Sequence, residues 1–363
     1  MSDIQQISLP NPTESLKVCI ERNPKLLQSI KDSPSRFRVL TGDRTTGALH
    51  VGHYFGSLKN RVLLQNWGVD VFVLLADYQA ITDRNVTSGI SNSVAQILLD
   101  YLAIGIDPAK STIFCHSMIP ALNQLMLPFL SVISMSELQK NPTVKDEIAM
   151  AGAQAVSGLM MTYPVHQAAD ILFCRGNVVP GGKDQLPHIE LTRVIARRMN
   201  NLYFEGAPYF PETELLLSNA PLLLGLDGRK MGKSLNNAIF LGMSEDETAH
   251  LIKGAKTDSN RTIFYDPDNR PEVSNLLLLC SLCLGVVPEQ IAEEIGDGGA
   301  GTLKRKLTEA LNEYFREIRT RRREIADDMG YVFSVLREGN QKANAIADET
   351  LAAVRKGMRM VYY

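Results

Sequence analysis

His50 and His53 stand three residues apart in a segment, Thr41 to Ser57, that also carries Gly42, Gly47, Gly52 and Gly56. At the start of a helix that spacing puts both imidazoles on one face. Free backbone N–H groups at a helix start favour anionic oxygen, and glycines let a ligand approach the backbone. Two imidazoles there can donate to phosphate oxygens whose charge grows in a transition state. Arg44 adds a fixed positive charge beside them. Helix capping or packing is the plainer role for this pair. Zinc binding is another, but no third ligand lies close in sequence.

A second segment has matching chemistry. Asp227 to Asn237 is a basic, glycine-containing loop that includes Lys230, Met231, Gly232, Lys233 and Ser234. Lysines carry compact, mobile charge suited to following a moving phosphate. Glycines make such a loop deformable, as a lid closing on a nucleotide must be. Taken alone, a Lys/Gly/Ser turn is usually a solvated loop. Its meaning comes from being paired with His50 and His53.

A third group selects a substrate. Tyr163, Gln167 and Asp170 are spaced i, i+4 and i+7, so one helix face presents all three. A carboxylate among small apolar residues is costly unless it is paired or used. As an acceptor it suits an indole N–H, and equally a phenol O–H. These residues alone leave an indole and a phenol donor both open. The plain alternative is a polar stripe on a solvated helix.

The elements that must hold these groups can be read from apolar runs. Phe37 to Leu40, Val71 to Ala76 and Ser111 to Cys115 read as strands, with a turn-rich stretch from Thr41 to Gly47. Helical segments at Tyr54 to Gln65 and Ser91 to Leu102 lie between them, which implies a parallel sheet. Helices are expected at Gln154 to Phe173 and Leu186 to Asn200, with a short strand at Asn177 to Val179. Further helices follow at Glu245 to Lys253, Val273 to Leu284 and Leu303 to Phe333, the last with a break. Thr257 to Arg270 reads as a loop. The fold class expected is α/β: a doubly wound, Rossmann-like catalytic domain at 36–238 plus an all-helical C-terminal domain at 239–363. Residues 1–35, with a helix from Leu16 to Ile30, form an N-terminal extension.

Composition bounds the function. The 363 residues are 45% hydrophobic with a net charge of −2, which excludes a strong overall pull on nucleic acid and leaves room for a local basic face. Arg316, Arg319, Arg321, Arg322 and Arg323 are the candidates for one, as a solvated face or as phosphate contacts. Five cysteines, an odd number, fit a reducing compartment. The opening residues lack a basic, then apolar leader, and no run reaches the ~18 apolar residues of a membrane helix. A cytoplasmic protein with no membrane contact is expected.

A His-x-Gly-His segment after the first strand, followed about 180 residues on by Lys-Met-x-Lys-Ser, resembles a class I aminoacyl-tRNA synthetase. Gly232 stands where serine is commoner, which loosens the loop and removes a hydroxyl. The resemblance implies His50, His53, Lys230 and Lys233 as catalytic groups. It implies ATP contacts at Arg44, Thr45, Thr46, Gly52, His53, Gly182, Lys183, Asp184, Leu222, Lys230, Met231, Gly232, Lys233 and Ser234.

The run Tyr163-Pro-x-x-Gln167-Ala-Ala-Asp170-Ile171, then Gly182-x-Asp184-Gln185-x-x-x-Ile189-Glu190-x-Thr192-Arg193, is similar to tryptophanyl-tRNA synthetases. So are Ala76 to Thr82 and Tyr101 to Pro108, and the match spans about Phe37 to Met360. By that resemblance Asp170 receives the indole N–H, while Tyr163 and Gln185 hold the amino group. Gln79, Val179 and Gly181 line the pocket with Gln167 beside them. Gln79 and Gln167 stand where better-known bacterial members have His and Met. Tyrosyl enzymes carry a similar set and are the nearest alternative. The resemblance implies L-tryptophan, ATP and tRNA(Trp) as partners, Mg²⁺ bridging phosphates without a carboxylate cage, a homodimer, and an anticodon-binding role for the helical domain. Some members hold an iron–sulfur cluster at a C-x-x-C pair. Here Cys280 and Cys283 remain, but the upstream positions are His250 and Val273, so no iron–sulfur cluster is expected.

Overall fold

A computed structural model describes residues 12–81, 88–151, 156–218, 222–232 and 235–363. Five strands, β1 (Arg38–Arg44), β2 (Asp70–Ala76), β3 (Ser111–Cys115), β4 (Val178–Gly181) and β5 (Glu214–Leu217), run parallel in the order β3-β2-β1-β4-β5. The chain winds outward from β1 to β3, then returns to β4 on the other side of β1. The direction of winding therefore switches between β1 and β4, where a crevice opens at the carboxyl ends of the strands. This is the doubly wound layout expected from the sequence.

The apolar run at β2 is buried on both faces, as its composition predicts. Val71, Val73 and Leu75 join one core, and Phe72, Leu74 and Ala76 join the other. Thr41 to Arg44, read as the start of a turn, instead continues β1 in register with Val73 to Ala76. Glycine signals a turn by its free dihedrals, but Gly42 serves a close approach. A Cβ there would lie 2.4 Å from the Leu74 carbonyl oxygen. Strand β5 had no expectation attached, because a four-residue run with three leucines carries no period.

Helices cover both faces. The N-terminal part holds α1 (Pro12–Asp32), α2 (Val51–His53), α3 (Lys59–Asn66), α4 (Ile90–Ala103) and α5 (Pro120–Leu130). It continues with α6 (Met135–Lys140), α7 (Pro142–Ala151), α8 (Gly158–Leu172) and α9 (Leu186–Tyr203). The C-terminal part holds α10 (Glu245–Lys253), α11 (Pro271–Leu284), α12 (Pro288–Ile295), α13 (Gly299–Ala326) and α14 (Met329–Gly357). The break expected after Leu303 falls at Asp327 and Asp328, where the Asp328 side chain caps α14 by accepting the Tyr331 N–H.

Both sheet edges are closed by an asparagine from a covering helix. On α1, Asn23 donates to the Leu217 carbonyl at 3.2 Å and accepts the Leu217 N–H at 2.8 Å. On α14, Asn340 accepts the Cys115 N–H at 3.0 Å. Gly339 lets that helix lie against β3, since a Cβ would fall 1.9 Å from the Ile113 carbonyl oxygen. Edge strands left bare would invite pairing with other chains. The first and last helices thus complete the sheet layer, far from their neighbours in sequence.

The arginine-rich stretch of α13 divides. Arg316 pairs with Glu313 at the surface. Arg319 is buried and donates to Asn312 and to the Thr248 hydroxyl. Arg322 turns inward to Asp100 and Gln96. Neither a solvated face nor phosphate contact describes those last two. Helical spacing sends alternate members of a charged run to opposite sides. Among the described residues no single helix is long and apolar enough to cross a membrane.

Candidate active site

A cavity of about 840 Å³ occupies the crevice beyond β1 and β4. One wall is the histidine segment. Val51 N–H donates to the Ile239 carbonyl and Leu241 N–H to the Leu49 carbonyl, both at 2.9 Å, and His50 bridges to Phe240. Residues 239–241 follow the lysine loop closely in sequence. The same pairing therefore carries Lys230, Met231 and Gly232 to the histidines. At Gly52 a Cβ would lie 3.0 Å from both the His50 ring and the Met231 sulfur, so the two motifs touch there.

His50 caps α2. Its backbone N–H donates to His53 Nδ1 at 3.2 Å, and the two rings are 3.7 Å apart. An accepting Nδ1 leaves the ring proton of neutral His53 on Nε2, which is then a donor. After His53 the helix widens into one π turn, Tyr54–Leu58, a feature frequent at functional sites. There the Gly56 carbonyl accepts the Ser218 hydroxyl at 2.7 Å.

The lysine loop is held from below by Asn237. Its buried side chain accepts the Gly232 N–H at 3.0 Å and donates to Asp227 Oδ1 at 2.8 Å and to the Lys230 carbonyl at 3.1 Å. The Lys230 side chain is exposed at the cavity. Lys233 and Ser234 lie outside the described residues, as does Thr82.

The far end of the cavity is the α8 face. Tyr163, Gln167 and Asp170 all line it, together with Gln79, Val179, Gly181, Gly182, Asp184 and Gln185. Gln167 donates to Gln185 Oε1 at 3.0 Å, and Gln185 donates to Asp184 Oδ2 at 2.9 Å. That chain joins the residues expected to hold the amino acid to one expected to hold ATP. Arg44 and Thr46 line the cavity as well. Four other expected contacts do not. Thr45 is buried beneath the segment, Gly52 sits behind His50, Lys183 is exposed beside the wall, and Leu222 is 79% exposed.

Several residues of the site carried no expectation. Asp43 accepts from Arg61 and from the Tyr101 hydroxyl, both at 2.6 Å, in the lining of the cavity. Burial would raise its pKa, but the Arg61 charge and these hydrogen bonds hold the carboxyl well below the usual range. Partners 18 and 58 residues away leave no local pattern to find. His116 donates to Asp170 at 2.7 Å. His166 packs its ring 4.5 Å from that of His116. Its place four residues before Asp170 on the same helix was the available signal. His188 is buried in the wall, and burial lowers its pKa to about 4. Away from the cavity, burial pushes the Cys280 and Cys283 thiols on α11 up to about 12.

The carboxylates at the cavity each have a protein partner on one oxygen: Asp43 in Arg61, Asp170 in His116 and Asp184 in Gln185. That donor set fits a divalent ion carried in on phosphate oxygens, not one caged by protein.

Residues 32–316 match the family model for tRNA synthetases class I (W and Y). The tryptophan–tRNA ligase of Streptococcus pyogenes serotype M1 is 41% identical over 342 residues, covering 90% of this chain and 98% of that protein. That of Streptococcus agalactiae serotype V is 42% identical over 341 residues, with the same coverage. Among solved structures, tryptophanyl-tRNA synthetase from Campylobacter jejuni complexed with ADP and tryptophan superposes with a TM-score of 0.77 at 30% identity, covering 89% of this chain and all of that one. Tyrosyl-tRNA synthetase from Archaeoglobus fulgidus shares the fold, with a TM-score of 0.62 at 21% identity, covering 86% of this chain and 100% of that one.

Proposed function

The chain belongs to the class I tRNA synthetases for tryptophan and tyrosine, and from that premise we infer that it is a tryptophan–tRNA ligase. It joins L-tryptophan to ATP as tryptophanyl-adenylate with release of pyrophosphate, then passes tryptophan to the 3′ end of tRNA(Trp). The observation that carries the reading is one cavity lined by His50, His53 and Lys230 at one end and by the buried carboxylate of Asp170 at the other.

In the mechanism this implies, the amino-acid carboxylate is ionised at neutral pH and needs no general base. Its oxygen attacks the α-phosphorus, a new O–P bond forms, and the bond to pyrophosphate breaks. Catalysis is then positioning plus charge stabilisation. Asp170 receives the indole N–H, while Tyr163 and Gln185 hold the amino group. His53 offers its Nε2 proton to the nucleotide, supported by His50. Lys230, with Lys233 of the same loop, follows the departing pyrophosphate, and Arg44 binds phosphate. Mg²⁺ carried in on ATP would supply charge neutralisation at the phosphates, with Arg44 and Lys230 as the chain's own cations there. Residues 239–363 supply the anticodon contacts. A homodimer and a cytoplasmic location complete the proposal, both supported by the sequence resemblance.

The test is ATP–pyrophosphate exchange with tryptophan and tyrosine side by side. Exchange with tryptophan is expected. Exchange with tyrosine alone would replace the substrate with the family's other amino acid.

A further inference from the structure

We propose that His116 is a positioning residue for substrate selection: it fixes the Asp170 carboxylate so that the second oxygen is presented as the acceptor for the substrate's ring N–H. The inference rests on the tryptophan–tRNA ligase reading above and adds a residue that reading does not contain.

His116 opens the short turn after β3 and is fully buried. Its Nε2 donates to Asp170 Oδ1 at 2.7 Å. Asp170 is itself 1% exposed, and its Oδ2 meets no donor among the described residues. A buried carboxylate with one oxygen unsatisfied is costly. A ligand N–H arriving at the cavity wall removes that cost, and a ligand without one does not. Asp170 lines the cavity and His116 does not, so His116 acts through Asp170.

The imidazole is held by ring packing and through its own backbone, while its Nδ1 meets no hydrogen-bond partner among the described residues. Tyr78 stacks on it with ring centroids 6.3 Å apart and planes 16° from parallel. The His166 ring lies 4.5 Å away on α8, and His166 Nε2 is tied to Asn123 Oδ1 at 2.8 Å. Asn123 in turn donates to the His116 carbonyl at 2.7 Å. A ring so clamped offers one direction for its Nε2 proton, and that direction sets the torsion of the carboxylate. Ligating atoms of His116, His166 and Asp170 lie within 4.8 Å of one another, as a metal site needs. In this arrangement the two Nε2 atoms are hydrogen-bonded to Asp170 and Asn123.

A fixed acceptor discriminates strongly, because a ligand lacking the donor leaves it buried and unpaired. Without His116 the carboxylate is free to rotate, and the preference for an N–H weakens.

The experiment compares wild type, His116→Leu and His116→Gln in ATP–pyrophosphate exchange. Substrates are tryptophan and β-(benzothiophen-3-yl)alanine, whose ring has sulfur in place of N–H. Glutamine keeps a donor near the Nε2 position, and leucine has none. His116→Leu is expected to raise KM for tryptophan about 10- to 100-fold, with KM for ATP within about twofold and the sulfur analogue little affected. His116→Gln should recover most of the loss. If leucine lowers the unfolding midpoint sharply, His116→Phe keeps a ring without a donor and is read in the same way. An equal loss for tryptophan, analogue and ATP would reduce His116 to core packing and overturn the proposal. So would a tryptophan KM unchanged in His116→Leu. Wild type that exchanges with tyrosine and not tryptophan would instead overturn the reading beneath it, and this role with it.

Discussion

Arg322, on a helix of the C-terminal part, donates to Asp100 at 2.7 Å, and the other Asp100 oxygen accepts the N–H of Leu49, next to His50, at 3.0 Å. Asp100 is completely buried and the Arg322 side chain is 15% exposed. One carboxylate thus ties the helical part of the chain to the start of the histidine segment. Breaking a buried pair from one side leaves an uncompensated charge and costs about 3–5 kcal/mol. Asp100→Leu also orphans the Leu49 N–H. Either Asp100→Leu or Arg322→Leu is expected to lower stability by that order, and the double variant by clearly less than the sum. Urea unfolding of the four proteins measures the coupling. Strictly additive losses would mean the pair does not act as a unit.

Gly52 is the point where the two motifs touch. Its missing Cβ leaves room for the His50 ring and the Met231 sulfur, each 3.0 Å from where that atom would be. Gly52→Ala pushes the lysine loop away from the histidines, and overpacking of this kind costs about 1–3 kcal/mol. We expect kcat/KM for ATP in pyrophosphate exchange to fall about 10- to 100-fold. Shortening the opposing side chain in Gly52→Ala/Met231→Ala should return part of it. No recovery in the double variant would place the damage elsewhere.

Asn237 does not line the cavity but holds three points of the loop that carries Lys230. A misplacement of about 1 Å at a reacting centre can cost about 100-fold in rate. Asn237→Ala is expected to lower kcat for adenylation by about that factor. Tryptophan affinity, measured by calorimetry without ATP, should stay near wild type. A parallel loss of tryptophan binding would show the whole cavity to be disturbed.

What the sequence made legible follows from distance along the chain. Strands β2 and β3 and helices α10 and α11 were expected nearly to the residue, because an apolar run or a 3.6-residue period is a local signal. The pocket face Tyr163/Gln167/Asp170 was legible for the same reason. His116 was not: its partner Asp170 is 54 residues on, and a single histidine after a strand has no period. Thr41 to Arg44 was misread because glycine and aspartate are turn formers, whereas Gly42 answers to a neighbouring strand. Arg322 was read with its neighbours as one charged face. Its use depends on Asp100, 222 residues earlier, and only the folded chain brings them together.

His188 gives the site a pH signature. It lies in the cavity wall, 3% exposed, and burial lowers its pKa to about 4, with Asp184 opposing the shift and Arg44 assisting it. An unfolded histidine titrates near 6.5. Between about pH 6.5 and about 4 the unfolded chain therefore holds a proton at this position that the folded chain refuses. Stability from the neutral, buried ring is fully present above about pH 6.5 and is lost as the pH falls through that window. Below about pH 4 both states are protonated and the loss stops growing, at about 3 kcal/mol. His166, whose pKa burial also lowers, contributes with the same sign. His188→Gln should flatten the fall between about pH 6.5 and 4 relative to wild type. Urea midpoints taken across that range read the difference, in which the common titration of carboxylates cancels. Parallel curves for the two proteins would remove His188 as the source of the slope.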